Sequence, residues 1–399
     1  MDTSMNPGEP LHDLLDPQVP GQQAGEAAAV EDGIGLCLSG GGYRAMLFHL
    51  GSLWRLNETG YLHQLKRVSS VSGGSITAGM LGKAWTELSF ENGVATNFDN
   101  KVVSPIRSLA GKTLDVKSVL GGVFGRGSAS DRVADAYRET LFGDATLQAL
   151  PKAGEGPRFV ITAANLQSGA LWRFSQPYAG DWKVGLIENP SISLATAVAA
   201  SSAFPPVLSP TILELDEGDY MPGSGDGLQY APFTTKVILS DGGVYDNLGL
   251  EPVLKRYRTV LVSDAGGALE TEKSPPKDWF RHTVKVLNVI DGQVRNLRKR
   301  QVIGSYLLPE SDSQHREGAY WSVRSDITHF KGLTDPLPCP FEKTFKLAKT
   351  PTRLANLSSR DQERLINWGY AACDAGLRTH VDRSLPAPGG FPYPGAGVE

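Results

Sequence analysis

The sequence predicts a three-layer α/β/α fold with a mainly parallel central sheet. Short apolar segments typical of buried strands alternate with segments whose apolar residues recur every three or four positions, as they do in helices. Strands that alternate with helices indicate βαβ units, and these units build parallel sheets. Two glycine-rich turns each follow a strand and precede a helix, which places them at the carboxyl edge of the sheet, where functional sites form.

The elements follow in chain order. A strand over residues 34–38 ends at a glycine turn, and a helix over residues 45–56 follows it. A second strand over residues 68–71 ends at another glycine turn, before a helix over residues 76–85. Three more buried strands are predicted over residues 159–164, 235–239 and 259–263. Farther on, Ser358 is the predicted N-cap of a helix over residues 361–377.

Composition and charge exclude several classes of protein. The chain has 399 residues and is 40% hydrophobic, which is too apolar for a wholly disordered protein and enough for a substantial core. Its 39 Lys and Arg residues against 43 Asp and Glu residues argue against a dedicated nucleic-acid binder. Three cysteines cannot build a disulfide framework, and their spacing fits no metal site, so we expect a cytoplasmic protein without a metal or other cofactor.

Membrane-targeting segments are not recognisable in the sequence. The N-terminus lacks a basic region followed by an apolar one, so no signal peptide is predicted. No run reaches the 18 apolar residues of a spanning helix, so any membrane contact is expected to be peripheral.

The chain divides into four predicted segments. Residues 1–32 contain seven acidic residues and no Lys or Arg, which predicts a flexible acidic leader. Since the whole chain has a net charge of −4, the remaining residues carry about +3. Residues 33–270 form the core that carries the motifs, and residues 271–384 form a helical C-terminal extension packed on that core. Residues 385–399 form a Pro/Gly-rich tail, expected to be extended and not packed.

The first motif is the glycine turn that follows the first strand. Gly40, Gly41 and Gly42 allow a sharp turn, and their amides at a helix N-terminus make an anion-binding nest. Arg44 adds a positive charge. Such a nest holds a phosphate or stabilises the oxyanion of an acyl-transfer reaction. The alternative is a glycine turn needed only for tight packing of strand against helix.

The second motif surrounds Ser72. It is similar to the nucleophile elbow G-x-S-x-G, with Ser70 in place of the first glycine. An elbow serine sits on a strained turn between strand and helix, where only small neighbours fit, and Gly73 and Gly74 meet that requirement. The alternative is that Ser72 only caps the following helix.

The third motif is an aspartate at a strand end. The predicted strand over residues 235–239 ends just before Ser240, and Asp241 comes next. Gly242 and Gly243 allow an unusual turn after this aspartate. This carboxylate can accept the proton of a nucleophilic serine. The alternative is a turn aspartate that binds only its own backbone.

In this order, the nest, the elbow serine and the Asp-Gly-Gly turn resemble the patatin-like phospholipase family. Three further stretches are similar to family segments: FVITAANLQS at 159–168, AVAASSAFPP at 197–206 and DGGVYDNL at 241–248. The likeness spans roughly residues 34–267. Ser70 and Ala45 depart from it, because the family commonly has glycine at both positions.

The resemblance implies an α/β enzyme with a Ser–Asp dyad at the carboxyl edge of the sheet and no catalytic histidine. Carried over by position, it implies that Ser72 is the nucleophile, that Asp241 is its base, and that the amides of the turn from Gly40 to Arg44 form the oxyanion hole. A carboxyl group with an ordinary pKa of about 4 is a poor base for serine, so we expect burial to raise the pKa of Asp241.

The function implied is hydrolysis of fatty-acyl esters of phospholipids or lysophospholipids at a membrane surface. Two alternatives use the same fold. One is an effector that degrades membranes when a partner or second messenger activates it, and the other is a catalytically silent protein that binds a phosphorylated ligand in the nest. The head group, the activator and a homo-oligomeric state stay open.

A Ser-His-Asp triad is the competing mechanism. Its chain order requires a histidine after the acid, so His282 or His329 would serve Asp241 or Asp264. Neither histidine lies in a recognisable loop motif. His49 is expected to pack in the first helix.

Residues 281–301 form a predicted basic amphipathic helix with an interruption at Asp291 and Gly292. Such a helix binds an anionic bilayer or forms a solvated face over the core. The basic residues for bilayer contact are Arg295, Arg298, Lys299 and Arg300.

Overall fold

The computed structural model describes residues 30–114, 128–267, 271–333 and 335–399. Nearly all of the predicted acidic leader lies outside the described residues. Its last two residues belong to the first strand, which begins at Glu31 and not at residue 34.

The described residues form two sheets. The strands are β1 (Glu31–Leu38), β2 (Leu65–Ser70), β3 (Phe90–Glu91), β4 (Val94–Ala95), β5 (Arg158–Asn165), β6 (Leu171–Phe174), β7 (Tyr178–Asp181), β8 (Gly185–Glu188), β9 (Thr211–Glu214), β10 (Lys236–Asp241), β11 (Tyr257–Asp264) and β12 (Glu317–Ser322). β3 and β4 make a separate hairpin, and the other ten strands make the central sheet.

The centre of the large sheet is parallel, in the order β12-β11-β1-β2-β5. Beyond β5 the sheet continues as an antiparallel meander of β6, β7 and β8. β10 also pairs with β5 in the antiparallel sense, and β9 pairs with β10. The predicted α/β fold with a mainly parallel sheet is therefore confirmed, with an antiparallel extension that the sequence pattern does not reveal.

Helices cover both faces of this sheet. They are α1 (Gly42–Glu58), α2 (Tyr61–Gln64), α3 (Gly73–Ala84), α4 (Ser104–Ala110), α5 (Ala129–Tyr137), α6 (Leu194–Ser201), α7 (Gly243–Asp246), α8 (Glu251–Leu254), α9 (Trp279–Leu307), α10 (Phe341–Ala348) and α11 (Ser359–His380). Short 3-10 turns lie at Trp85–Glu87, Leu147–Ala149, Glu217–Asp219 and Ile327–His329, and π turns lie at Asp99–Val103 and Arg138–Phe142. Among these helices, none combines the length and the apolar character needed to cross a bilayer.

Alternation along β1 shows the three layers. Leu36 and Leu38 belong to the large core on the side of α1, α3 and α11. Cys37, between them, points to the opposite face and packs with Val262 of β11 and Val302 of α9. Successive strand residues alternate between faces, so the sheet is covered on both sides.

The C-terminal region is built into the core. α11 crosses α1 at a very short distance, because a Cβ on Gly51 would lie 1.9 Å from the Ile366 carbonyl oxygen and one on Gly369 would lie 1.8 Å from the Phe48 carbonyl oxygen. The region also supplies β12, which joins the sheet beside β11, so it is more than a helical extension. The predicted cap is confirmed, since the Ser358 side chain accepts a hydrogen bond from the Asp361 amide.

The Pro/Gly-rich tail forms no regular element within the described residues, yet it is packed. Asn367 of α11 donates its side-chain amide to the Tyr393 and Gly397 carbonyl oxygens. Val398 is buried against the core. The expectation of an unpacked tail is wrong, because a core helix supplies the polar partners that the tail backbone lacks.

Candidate active site

The register of the sheet brings the serine and aspartate motifs together. Ser70, at the end of β2, pairs with Ile161 of β5. Asp241, at the end of β10, pairs with Ala163, two residues farther along β5. β10 therefore occupies the place that β2 leaves when it ends, and Asp241 lies beside the turn that carries Ser72.

Ser72 stands on a strained turn between β2 and α3. Its backbone has φ 52° and ψ −121°, a conformation that non-glycine residues rarely adopt. The side chain does not cap α3. A Cβ on Gly73 would lie 2.2 Å from the Gly42 carbonyl oxygen, and one on Gly74 would lie 2.4 Å from the Leu38 carbonyl oxygen. Both glycines are required because the turn packs directly against the backbone at Leu38 and Gly42, which leaves no room for a side chain.

Ser201, at the end of α6, holds the turn in place. Its hydroxyl accepts a hydrogen bond from the Ser72 amide at 2.9 Å and contacts the Ser75 hydroxyl at 2.9 Å. The Ser201 carbonyl accepts from the Gly242 amide at 3.3 Å, and the Ala203 carbonyl accepts from the Asp241 amide at 3.0 Å. One short segment therefore fixes the backbone of both predicted catalytic residues. Sequence reasoning noted this segment only as a family likeness and gave Ser201 no role.

Asp241 is buried, with 2% of its surface exposed, whereas Ser72 is partly exposed. Burial raises the pKa of Asp241 to about 7, and the nearby Asp291 carboxylate acts in the same direction. A hydrogen bond from the Gly243 amide at 2.7 Å and an interaction with the Ser72 hydroxyl lower it in part. The prediction that burial raises the pKa of this carboxyl is confirmed. A carboxylate with a pKa near 7 is far better matched to proton transfer at neutral pH.

The glycine nest lies against Ser72. A Cβ on Gly40 would lie 3.2 Å from the Ser72 Cβ. The Gly40 amide already donates to the Asn247 side-chain and main-chain oxygens, at 3.0 and 3.1 Å. The described part of the chain supplies no acceptor for the amides of Gly41 and Gly42, which have φ 145° and 60°. Of the predicted oxyanion donors, Gly41 and Gly42 therefore have their amides available.

Arg44 ties the nest to the rest of the fold. Its buried guanidinium donates from Nε to the Ala265 carbonyl at 3.0 Å and from Nη1 to the Thr350 carbonyl. Burial, with Arg295 nearby, lowers the pKa of Arg44 to about 10. The side chain positions the turn by these contacts.

Asn247 and Asp291 are site residues that sequence reasoning missed. Asn247 accepts from the Gly40 amide and donates its side-chain amide to Asp291 at 3.0 Å. Asn247 lies in the stretch DGGVYDNL, six residues after Asp241, and this position in the sequence could have indicated that it belongs to the site. Asp291 gave none, because it lies 44 residues away in a helix. The helix predicted over residues 281–301 is continuous there: α9 runs unbroken through Asp291 and Gly292, which interrupt only its run of basic residues.

The supporting residues have defined contacts. Ser70 accepts from the Ser75 hydroxyl at 3.0 Å, so the departure from glycine is accommodated by a hydrogen bond. Ala45 lies in α1 and is fully buried. A Cβ on Gly242 would lie 2.5 Å from the Thr162 carbonyl oxygen, and one on Gly243 would lie 2.9 Å from Asp241 Oδ1. Any side chain at Gly243 would therefore displace the carboxylate.

The histidines of the triad alternative lie elsewhere. His282 is exposed and contacts the Pro276 carbonyl through Nδ1, and His329 is exposed beside Asp326. His49 is buried, and burial lowers its pKa to about 4. Its Nε2 lies 2.9 Å from the Ser39 carbonyl oxygen and its Nδ1 lies 2.8 Å from the Ser263 hydroxyl, so it supports the strand end before the nest.

The arrangement brings together a hydroxyl on a partly exposed residue, a buried carboxyl group and the amides of Gly41 and Gly42, which have no acceptor among the described residues. Among the described residues, no group of three His, Cys, Asp or Glu side chains is placed to hold a metal ion. A cavity of about 500 Å³ at the opposite edge of the sheet, between Glu31 and Arg158, is lined by polar residues and includes neither Ser72 nor Asp241.

Comparison with known proteins agrees with this architecture. The family model described as patatin-like phospholipase matches residues 36–254, more than half of the chain. No curated protein matches the sequence. Human GIVD cytosolic phospholipase A2 superposes with a TM-score of 0.52 at 15% identity, over 86% of this chain and 60% of that chain. Its complex with methyl gamma-linolenyl fluorophosphonate gives a TM-score of 0.50 at 15% identity, over 86% and 57%. At such identities the likeness shows the fold, and this chain spans about 60% of the length of the human protein.

Proposed function

The chain belongs to the patatin-like phospholipase family, and from this premise we propose that it is a lipid acyl hydrolase that cleaves fatty-acyl esters of phospholipids or lysophospholipids. One observation carries the proposal: a serine on a strained, partly exposed turn interacts with a buried aspartate whose pKa is raised to about 7. A residue that is strained and a carboxyl that is desolvated both cost stability, and such features concentrate at catalytic sites.

The proposed reaction has two steps. The Ser72 hydroxyl attacks the ester carbonyl while Asp241 takes its proton, and the amides of Gly41 and Gly42 hold the oxyanion, each worth roughly 3 kcal/mol. The tetrahedral intermediate then collapses, and the leaving alcohol takes the proton from Asp241. A water molecule attacks the acyl-serine, gives its proton to Asp241, and releases the fatty acid while Ser72 regains its hydrogen.

The histidine contacts favour a Ser–Asp dyad over a triad. Among the described residues, no histidine has a hydrogen bond to Ser72 or Asp241. Activity in His282→Ala and His329→Ala variants equal to wild type is the expected result, and a loss in either variant would favour the triad.

The most direct test is hydrolysis of a phospholipid and lysophospholipid panel, with products identified by mass spectrometry. Wild type should release free fatty acid, and Ser72→Ala should not. Labelling by a fluorophosphonate probe separates an enzyme from a silent binder, because only an activated serine reacts. The human relative was solved with a fluorophosphonate, which makes this probe class the natural choice. Absence of labelling at Ser72 would favour the binding protein.

We also propose that the protein acts in the cytoplasm. The three cysteines are free and buried, which is compatible with the predicted cytoplasmic location. A lipid hydrolase there has to reach its substrate from the water side of a membrane.

A further inference from the structure

One helix carries most of the large hydrophobic residues that are exposed in the described part of the chain. Fourteen large hydrophobic residues are exposed among the described residues, and eight of them lie on α9. Between Trp279 and Ile290 this helix has no buried residue, although Val284, Lys285 and Asn288 are partly covered, and we call these first three turns the free turns of α9. Soluble monomers rarely expose so much contiguous apolar surface unless it binds something.

The apolar residues face away from the protein. Four of them recur at spacings of seven, four and seven residues, which places them on one side of the helix, and we call this side the apolar face of α9: Trp279, Val286, Ile290 and Leu297. They are 82%, 42%, 53% and 59% exposed. The buried residues Arg295 and Val302 lie on the opposite side. An ordinary surface helix has the reverse arrangement.

The basic residues predicted for bilayer contact are mostly engaged within the fold. Arg295 is buried and donates to the Gly267 carbonyl, and Arg298 pairs with Glu251 at 3.3 Å. Lys299 lies over the Tyr320 ring at 4.7 Å. Contact with a bilayer through these three side chains is therefore not favoured, which leaves the apolar face as the part of α9 that is available to a bilayer.

α9 and α7, which both carry exposed apolar residues, border the proposed active site. Ile290 precedes Asp291, which accepts a hydrogen bond from Asn247, and Asn247 in turn holds the Gly40 amide. Val244, three residues after Asp241, is 48% exposed. Exposed apolar residues thus lie on α9 and on α7, the two helices that border the site.

The charge around the free turns suits a lipid surface. Residues 271–290 contain four basic and two acidic residues, a net charge of +2; because Arg281 pairs with Asp278 and Lys285 with Glu272, Lys273 and Lys277 supply that excess. Lys273 and Lys277 are exposed at the base of the free turns. Apolar residues flanked by cations bind anionic lipid surfaces, where the apolar side chains enter the acyl boundary and the cations meet the head groups.

We propose that the apolar face of α9 docks on the surface of the lipid aggregate that holds the substrate, and so turns the mouth of the site toward the ester bonds. The inference rests on the proposed function for the identity of its partner. A docked helix lets a substrate molecule leave the aggregate for the site without crossing water.

The test uses the full chain and vesicles of phosphatidylcholine with phosphatidylglycerol. A triple variant, Trp279→Ser, Val286→Ser and Ile290→Ser, should weaken vesicle binding by about a hundredfold and lower hydrolysis of vesicle lipid accordingly. It should leave the rate on a soluble short-chain ester and the fluorophosphonate labelling unchanged. The matched control is Leu307→Ser, 81% exposed at the other end of the same helix, which should keep wild-type vesicle binding.

A second measurement does not depend on loss of binding. The native cysteines are buried, so an Ile290→Cys variant accepts a polarity-sensitive fluorophore selectively. Its emission should shift to the blue on vesicles, whereas the same label on Leu307→Cys should not respond.

The outcomes separate the two proposals. Wild-type vesicle binding by the triple variant, or no emission shift at position 290, would overturn the docking proposal. A wild-type dimer in light scattering that the triple variant abolishes, with vesicle binding retained, would overturn it too and assign the face to a second copy. If the wild-type protein hydrolyses no ester but binds vesicles, and the triple variant does not bind them, the docking proposal is supported and the proposed function is removed.

Discussion

Two buried aspartates end β10 and β11, which are consecutive strands of the chain, and their environments shift the carboxyl pKa in opposite directions. Burial raises the pKa of Asp241 to about 7, with only the Gly243 amide and the Ser72 hydroxyl to oppose it. Burial also acts to raise the pKa of Asp264, but Arg295 and Arg324 outweigh it and the pKa falls below its usual value. The Tyr320 hydroxyl donates to Asp264 at 2.6 Å and strengthens the effect.

The difference teaches that burial alone does not make a base. Asp264 is surrounded by cations that stabilise its charge, so it is a structural anion for the end of β11. Asp241 has no cation among its pKa determinants, and its proton affinity is therefore high.

The largest effect is expected for Asp241→Asn. This change keeps the shape of the side chain and removes the proposed base, so ester hydrolysis should fall by about a thousandfold. Thermal unfolding should show a protein at least as stable as wild type, since a desolvated carboxyl is lost. Near-normal hydrolysis would remove Asp241 from the mechanism.

Asp264→Asn should show the opposite pattern. Removing this anion leaves Arg295 and Arg324 partly unpaired in a buried setting, so the free energy of unfolding should drop by about 3–5 kcal/mol. The measurement is denaturant unfolding of both Asn variants in parallel. Equal stability of the two variants would break the comparison.

The pH dependence follows from the same two groups. In the proposed mechanism Asp241 must be ionised to accept the Ser72 proton, so the rate with a soluble ester should rise through about pH 7 and level off above it. Its raised pKa contributes stability that is present below about pH 4 and is lost as the pH rises through 7, a change of about 4 kcal/mol.

Asp241→Asn should therefore gain apparent Tm over wild type more at pH 8 than at pH 5. The lowered pKa of Asp264 stabilises above about pH 4 and fades as the pH falls. The Asp264→Asn substitution should therefore lower the free energy of unfolding more at pH 7 than at pH 3. A rate profile that is flat between pH 5 and pH 9 would contradict the role of Asp241.

A smaller loss is expected for Ser201→Ala, which frees the Ser72 amide and the Ser75 hydroxyl. The kcat for a soluble ester should fall by about tenfold, with KM little changed, because a misplaced nucleophile affects the reaction and not binding. Ser202→Ala is the matched control, a neighbouring buried serine. Equal kcat values in both variants would argue against a positioning role.

The smallest effect concerns backbone strain at Ser72. Glycine adopts a φ of 52° without penalty, so Ser72→Gly should be more stable than Ser72→Ala by about 1 kcal/mol, although both are inactive. Denaturant midpoints of the two variants check this directly. Equal midpoints would show that the turn is not strained.

Much of the fold and of the site follows from local sequence. The strands before Gly40 and Ser72, the helices after them and the strand that ends at Asp241 lie within a few residues of their predicted places. Hydrophobic period and glycine turns are local properties, so they appear in the sequence directly. The raised pKa of Asp241 was also predictable, because a carboxyl group with an ordinary pKa is a poor base for serine and burial is the usual way to raise that pKa.

The sequence by itself determined the α/β plan, the order of the motifs and the residue types that acyl transfer needs. Only the tertiary structure decided which residues hold them: Ser201 lies 129 residues from Ser72, and Asn247 lies 207 residues from Gly40. It also decided that the apolar side of α9 faces solvent. The physical reason is that contacts between distant segments depend on sheet register and on which face of a helix is covered, whereas a 3.6-residue period is the same whether the apolar side meets the core or water.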